Sequence, residues 1–185
     1  MPVFETPRLD LRPLGPADKA LYCRLHTDPE VMRHIAAPLS AEAAQAAFQR
    51  VIALNRPSLP SMQVWVLNER EPSTDIGILA LIRHAKAPDA LEIGAMLLVE
   101  GQGRGLAAEA QTALLDWVFA TPGIRVVASS HAPGHRAVIG VKQKLGFVRA
   151  ATGGTDGEDA HGLEVRWQMT RERWDAVRPG RTGKT

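Results

Sequence analysis

A single α/β domain built around a mixed sheet is predicted by three observations. The chain has 185 residues, enough for one domain and short for two. Three apolar runs, MQVWVLNE, DIGILALIRH and LEIGAMLLV, follow one another across short polar links, as in an antiparallel meander. The last of them passes through a glycine turn into a helical pattern and then a further apolar run, the order of a βαβ unit.

Each element follows from its own pattern. RLDLRPL alternates Leu9 and Leu11 with Asp10 and Arg12 and reads as a half-buried first strand. PADKALYCRLHTDPEVM and SAEAAQAAFQRVIAL read as two helices, the second alanine-rich and opened by Ser40 as N-cap. MQVWVLNE is a strand. The near-continuous apolar run of DIGILALIRH predicts a strand covered on both faces, and LEIGAMLLV, after a turn at PDA, a further buried strand. Beyond the glycines, Leu106, Ala110, Ala113, Leu114, Trp117 and Val118 recur at helical spacing and form one apolar face. TPG stops that helix, IRVVASS supplies the next strand, and HRAVIGVKQKLGF reads as a short helix ending at Gly146. VRAA and LEVRWQMT pair across TGGTDGEDAHG, with Leu163, Val165, Trp167 and Met169 on one side. No repeat or linker divides the chain.

Composition excludes several classes. An apolar fraction of 45% and a charged fraction of 23% are those of a soluble globular protein. No run approaches the ~18 uncharged apolar residues of a membrane helix, so no membrane partner is expected. The opening MPVFETPRLDLRPL carries Glu5, Arg8, Asp10 and Arg12 and lacks the apolar centre of a secretory signal. The single cysteine, Cys23, excludes an internal disulfide and reads as a small core residue in a reducing compartment, hence an expected cytoplasmic location. A net charge of +2 is too small to argue for nucleic acid. The basic RPGRTGKT reads as a flexible tail, residues 175–185. Its GKT is no phosphate loop, because position 178 is Arg178 and no helix follows.

The stretch VEGQGRGLAAEA places three glycines in five positions directly before strong helix formers. A glycine turn at a helix start aims several N–H groups at one point, where the helix dipole adds about half a positive charge. The natural guest is a phosphate or pyrophosphate, and Arg104 adds a fixed cation with a fork of donors. A dinucleotide fold wants G-x-G-x-x-G with an acidic residue roughly 20 positions on, and here Ile124 and Arg125 stand there. A nucleoside triphosphate loop wants Gly-Lys-Ser/Thr, which the stretch lacks. Gln102-Gly103-Arg104-Gly105-Leu106-Ala107 fits the coenzyme A pattern Q/R-x-x-G-x-G/A, with a merely glycine-rich tight turn as the alternative.

EIGAMLLVEGQGRGLAAEA resembles the signature of the GCN5-related N-acetyltransferases (GNAT), in the ribosomal-protein N-acetyltransferase branch that includes RimJ and RimL. ETPRLDLRPLGPAD, TDPEVMRHI, KLGF and RWQMTRERW resemble that branch at matching places, so the likeness spans residues 5 to about 174. It implies one domain over 5–174: a mixed, mostly antiparallel sheet flanked by helices, with a βαβ coenzyme-binding unit. It further implies that Gln102, Gly103, Arg104, Gly105, Leu106 and Ala107 hold the pyrophosphate of acetyl-CoA, the acyl donor. The strand from Met96 to Val99, with Leu97 and Leu98, is expected to splay from its neighbour and pair with the pantetheine arm. An N–H near Leu98 would polarise the thioester carbonyl. Glu92 is the candidate base that draws a proton from the amine through water, against a purely structural role; Glu109 is expected to be structural.

The implied reaction is direct attack of a neutral primary amine on the thioester. An α-amine near pKa 7.7 is roughly 15–20% neutral at pH 7, a lysine near 10.4 about once in 2,500, so a lysine needs more help. A protein amino terminus and a small molecule such as an antibiotic or polyamine are the acceptors in view. A non-catalytic acyl-CoA-binding sensor is the other reading, and monomer and homodimer both stay open. Two departures matter. The family usually has asparagine where this chain has His135, which inherits contact with the coenzyme arm, and serine, the proton donor to the thiolate, where it has Val138. Ala95, Met96 and Gly101 replace larger groups and imply a roomier acceptor pocket. His131 and His135 are four apart, but Pro133 and Gly134 lie between them and no glutamate accompanies them, so no metal is expected.

Overall fold

The computed structural model describes residues 1–55, 61–83, 87–150 and 165–178. In chain order the elements are β1 (Phe4–Glu5), β2 (Leu9–Pro13), α1 (Lys19–Thr27), α2 (Pro29–Met32), α3 (Ala41–Leu54), β3 (Met62–Glu69), β4 (Thr74–Arg83) and β5 (Ala90–Leu97). They continue with α4 (Leu106–Ala120), β6 (Val126–His131), α5 (Arg136–Leu145), β7 (Val148–Arg149), β8 (Val165–Thr170) and α6 (Arg171–Val177). Short 3-10 turns at Pro16–Asp18 and Val99–Gly101 precede α1 and the glycine loop. The eight strands form one sheet in the order β1-β2-β3-β4-β5-β6-β8-β7. Every pairing is antiparallel except β5 with β6, so the meander and the βαβ unit are both present. The predicted α/β domain with a mixed, mostly antiparallel sheet is the observed one.

Two apolar cores sit on the two faces. Trp65 and Leu67 join the face covered by α4, where Leu106, Ala110, Leu114, Leu115 and Val118 are buried. Their neighbours Val64 and Val66 join the other face with Tyr22, Leu25 and Phe48 of α1 and α3. This is the period-two alternation of a strand buried on both sides. Between β4 and β5 the backbones approach so closely that a Cβ at Gly77 would lie 2.3 Å from the Met96 carbonyl oxygen, which only glycine permits.

Several expectations need correction. The first predicted helix is broken: Asp28 is extended, because the proline at 29 disfavours helical backbone in the residue before it. The Asp28 carboxylate then caps α2, accepting from the N–H groups of Glu30 at 2.8 Å and Val31 at 3.3 Å. Strand β5 is not buried throughout. Leu91 and Ile93 are buried, Gly94 is exposed and Ala95 to Leu97 are half-buried. The chain is also ordered past Trp174: α6 runs to Val177 and the Arg178 guanidinium pairs with Asp116 at 2.6 Å. This seven-residue helix lies partly within the stretch that the sequence assigns to a flexible tail. It pins the end of α4 through Trp174 Nε1, which donates to Asp116, and Arg171, which donates to the carbonyls of Thr121 and Ile124. Leu163, the TGGTDGEDAHG loop and the tail after residue 178 lie outside the described residues.

Candidate active site

Strands β5 and β6 share only three register pairs, Ala90 with Val126, Leu91 with Val127 and Glu92 with Ala128. Beyond them β5 continues on β4 alone, and β6 on β8 alone. The strands therefore part after Glu92, earlier than the Met96 expected from the sequence. Leu98 N–H donates to Ile76 O at 2.9 Å, in register with the β4–β5 ladder. Antiparallel pairing alternates, so the backbone groups of Met96 and Gly94 also face β4, while those of Ile93, Ala95 and Leu97 face the gap. The Leu98 N–H expected to serve a ligand is thus already spent on β4, and the N–H that faces the gap next to it is that of Leu97. Gln102 Nε2 donates to Leu97 O at 3.0 Å and braces the end of the strand.

The glycine loop follows at the same end of the sheet. Gly103 and Gly105 have φ of +72° and +78°, the left-handed region that other residues enter at a cost. Gly105 is the N-cap of α4 and offers no side-chain acceptor. The first intrahelical bond runs from Glu109 N to Gly105 O at 3.2 Å, which leaves the N–H groups of Leu106, Ala107 and Ala108 without helical acceptors. A Cβ at Gly103 would meet nothing within 4 Å, so the approach is open. Leu106 itself is wholly buried and serves as the anchor of the helix start; its backbone, not its side chain, is available.

The charge on the loop is distributed differently from expectation. Arg104 does not project its guanidinium at the loop. It makes a two-pronged pair with Glu69, by Nη1 to Oε2 at 2.8 Å and by Nη2 to Oε1. Arg104 holds the Glu69 carboxyl below the usual carboxylate range. The cations nearest Gly105 are instead Arg8 and Lys144: a Cβ there would lie 3.7 Å from Arg8 Nη2 and 3.9 Å from Lys144 Nζ. Arg8 is held by Glu109, whose Oε1 accepts from Thr6 Oγ1 at 2.7 Å and from Arg8 N at 2.8 Å and whose Oε2 accepts from Arg8 Nε at 2.7 Å. Burial pushes the Glu109 carboxyl up, but these hydrogen bonds outweigh it and hold it below the usual range. Glu109 is structural, as its place in the helix suggested.

Glu92 stands where the strands part. Leu91 and Ile93 belong to the α4-side core, so alternation puts Glu92 on the opposite face. Its Oε1 accepts from Ser130 Oγ on β6 at 2.9 Å. Between α4 and α5 lies Lys142, 2% exposed, whose Nζ donates to Gln111 Oε1 at 2.8 Å and sits 4.6 Å from the Phe147 ring centre. Burial lowers its pKa to about 7, the Glu92 charge opposing that shift. Sequence reasoning missed this lysine, because KQKLGF reads locally as a polar helix turn.

Across the gap, β6 ends at His131 and α5 is N-capped by His135, again without a side-chain cap. Trp167 Nε1 donates to His131 Nε2 at 2.8 Å, so the proton of His131 resides on Nδ1 and is donated to Ala132 O at 2.7 Å. The His135 ring lies 6.2 Å from that of His131 and 4.6 Å from His34, which follows α2. His135 Nδ1 is buried without a partner among the described residues. No local signal connects His34 with His135, 101 positions apart. Among the described residues no group of three or more His, Cys, Asp or Glu is placed to hold a metal ion, and no helix is long and apolar enough to cross a membrane.

A parted strand pair beside a helix start with unspent donors suits a ligand with a phosphate end and an amide-bearing arm, the class of coenzyme A-dependent acyltransferases. The family profile of the acetyltransferase (GNAT) domain matches residues 8–148. The chain belongs to that family and is an N-acetyltransferase by class. Its structure is similar to an acetyltransferase from Agrobacterium tumefaciens str. C58, with a TM-score of 0.76 and 24% identity over 91% of this chain and 94% of that one. It is also similar to RimL, a ribosomal L7/L12 α-N-protein acetyltransferase solved with coenzyme A, with a TM-score of 0.75 and 15% identity over 93% and 99%. A spermidine N-acetyltransferase from Vibrio cholerae, solved with CoA and spermine, gives 0.72 and 18% over 90% and 98%. At these identities the likeness shows the fold. No curated protein sequence matches.

Proposed function

We propose that this protein transfers the acetyl group of acetyl-CoA to a primary amine, with a protein N-terminal α-amine as the favoured acceptor, in the reducing interior of the cell. The observation that carries the proposal is the start of α4: three N–H groups, at Leu106, Ala107 and Ala108, with no acceptor of their own at the mouth of a parted strand pair. In this reading Gln102 to Ala107 hold the diphosphate, Gly103 and Gly105 by letting it approach the backbone. Arg104 shapes the loop through Glu69 and Arg8 is balanced by Glu109, while Lys144 adds positive charge beside Gly105. Ile93 and Ala95 pair with the pantetheine amides, and Leu97 N–H polarises the thioester carbonyl.

An incoming ammonium must lose one proton before it can attack. Glu92 takes that proton through water, oriented by Ser130. The fit to an α-amine follows from its pKa near 7.7, which leaves a single modest carboxylate enough to do. Release of free thiol from acetyl-CoA, measured over a panel of peptide N-termini, lysine side chains and polyamines, tests the proposal. Glu92→Gln is expected to lower kcat roughly 10²-fold or more with coenzyme affinity unchanged. Coenzyme binding with no thiol release for any amine supports instead a non-catalytic acyl-CoA sensor, the reading that Val138 at the usual proton-donor position favours.

A further inference from the structure

Acyl transfer to an amine has a second proton to move. Once the neutral amine has added to the carbonyl carbon, its nitrogen carries one hydrogen too many and the departing sulfur lacks one. Val138 has no proton to give. A histidine that can carry one stands on the lip of the gap opposite Glu92. His135 opens α5 directly beyond the end of β6, at the same end of the sheet as Leu97 and the glycine loop. Its neighbour His131 is saturated on both ring nitrogens, by Trp167 and Ala132, and is locked in one tautomer. His135 is the reverse case: its Nδ1 is buried with no partner among the described residues, an arrangement that costs free energy. His34, which follows α2, packs on its ring with 4.6 Å between centres.

We infer that His135 carries the proton from the attacking amine to the departing sulfur, with His34 positioning its ring. This rests on the acetyl-transfer reading above. The step balances within the reactants. The nitrogen lone pair forms the C–N bond, and the N–H proton passes to an unprotonated nitrogen of His135. The C–S bond breaks with its electron pair going to sulfur, and the imidazolium returns the same proton to the thiolate. His135 begins and ends neutral, and nothing else is consumed. A neutral resting state is what the surroundings enforce. Burial lowers the His135 pKa first, and its neighbours His34, His131 and Arg33 lower it further. These are the titratable groups that face it from the segment after α2 and from β6; on its own helix Arg136 is exposed.

The discriminating variant is His135→Asn, which keeps an amide able to bond the coenzyme arm and cannot shuttle a proton. Proton transfer predicts a kcat lower by about 10² or more, coenzyme affinity by calorimetry within about threefold, and partial recovery of His135→Ala by added imidazole. In the parent the rate falls as pH drops through the depressed His135 pKa, below the ordinary imidazole value. His34→Ala removes one of the depressing neighbours and moves that acid limb to higher pH, a readout that does not depend on His135→Asn folding. A His135→Asn enzyme with parental kcat, or a loss confined to coenzyme affinity, overturns the shuttle while leaving acetyl transfer intact. A parent chain that releases no thiol with any amine overturns both.

Discussion

The two longest helices, α3 with 14 residues and α4 with 15, begin in opposite ways. α3 is self-contained: Ser40 Oγ accepts from Ala43 N–H at 3.2 Å, and only Ala44 and Phe48 among its residues are fully buried. Its end is fastened by Asn55, which exchanges hydrogen bonds with Val64 and donates to Leu14 O. α4 buries eight residues, including Leu106 in its first turn, and has no side chain at its start to receive its donors. The first turn is steadied from outside by Thr6 and Arg8 on Glu109. A helix whose body is so well anchored can leave its opening N–H groups unspent. That pairing of a buried body with an open start separates α4 from the self-capped α3.

The largest expected effect breaks this contrast directly. Gly105→Asp gives α4 a carboxylate of its own at the cost of left-handed backbone. Coenzyme affinity by calorimetry should fall at least ~100-fold, about 2.7 kcal/mol, beside roughly 1–2 kcal/mol of backbone strain. Next comes the polar contact that α4 shares with α5. Between pH 7 and 10 the unfolded Lys142 holds a proton that the folded one has released, since its folded pKa is about 7. The unfolded state binds more protons there, so Lys142 makes stability rise with pH, by up to about 1.4 kcal/mol per pH unit. Lys142→Met should flatten that rise in denaturant melts taken across this range. The smallest effect sharpens the comparison from the other side. Ser40→Ala should cost about 1 kcal/mol of stability and leave coenzyme affinity unchanged, because the cap of α3 serves only α3.

Much of the fold is legible locally because its signals are local. Ser40, the alternation of MQVWVLNE and the left-handed Gly146 at the end of α5 each mark a boundary within a few residues. The conformation of the glycine loop is legible for the same reason, since the left-handed Gly103 and Gly105 directly before α4 are a property of the backbone. Side-chain roles were less so. Arg104 reads as a ligand for phosphate until folding brings Glu69, 35 positions away, within hydrogen-bonding distance. The early parting of β5 and β6 follows from a register between segments 36 residues apart, which no run of either segment encodes. Helix α6 was hidden because its signal, Thr170 accepting from Arg173 N–H, follows a strand without any intervening turn.

If the donor binds at the three-rung seam between β5 and β6 as proposed, folding is tied to its supply. Two slabs of the molecule meet there through very few backbone contacts, and a bound pantetheine would act as a rivet between them. By mass action, a donor at one hundred times its dissociation constant adds about 2.7 kcal/mol to the folded form. Amide hydrogens of Ile93, Ala95 and Leu97 would then exchange with deuterium quickly in a starved cell extract and slowly in a fed one, making the seam a gauge of acyl-donor abundance.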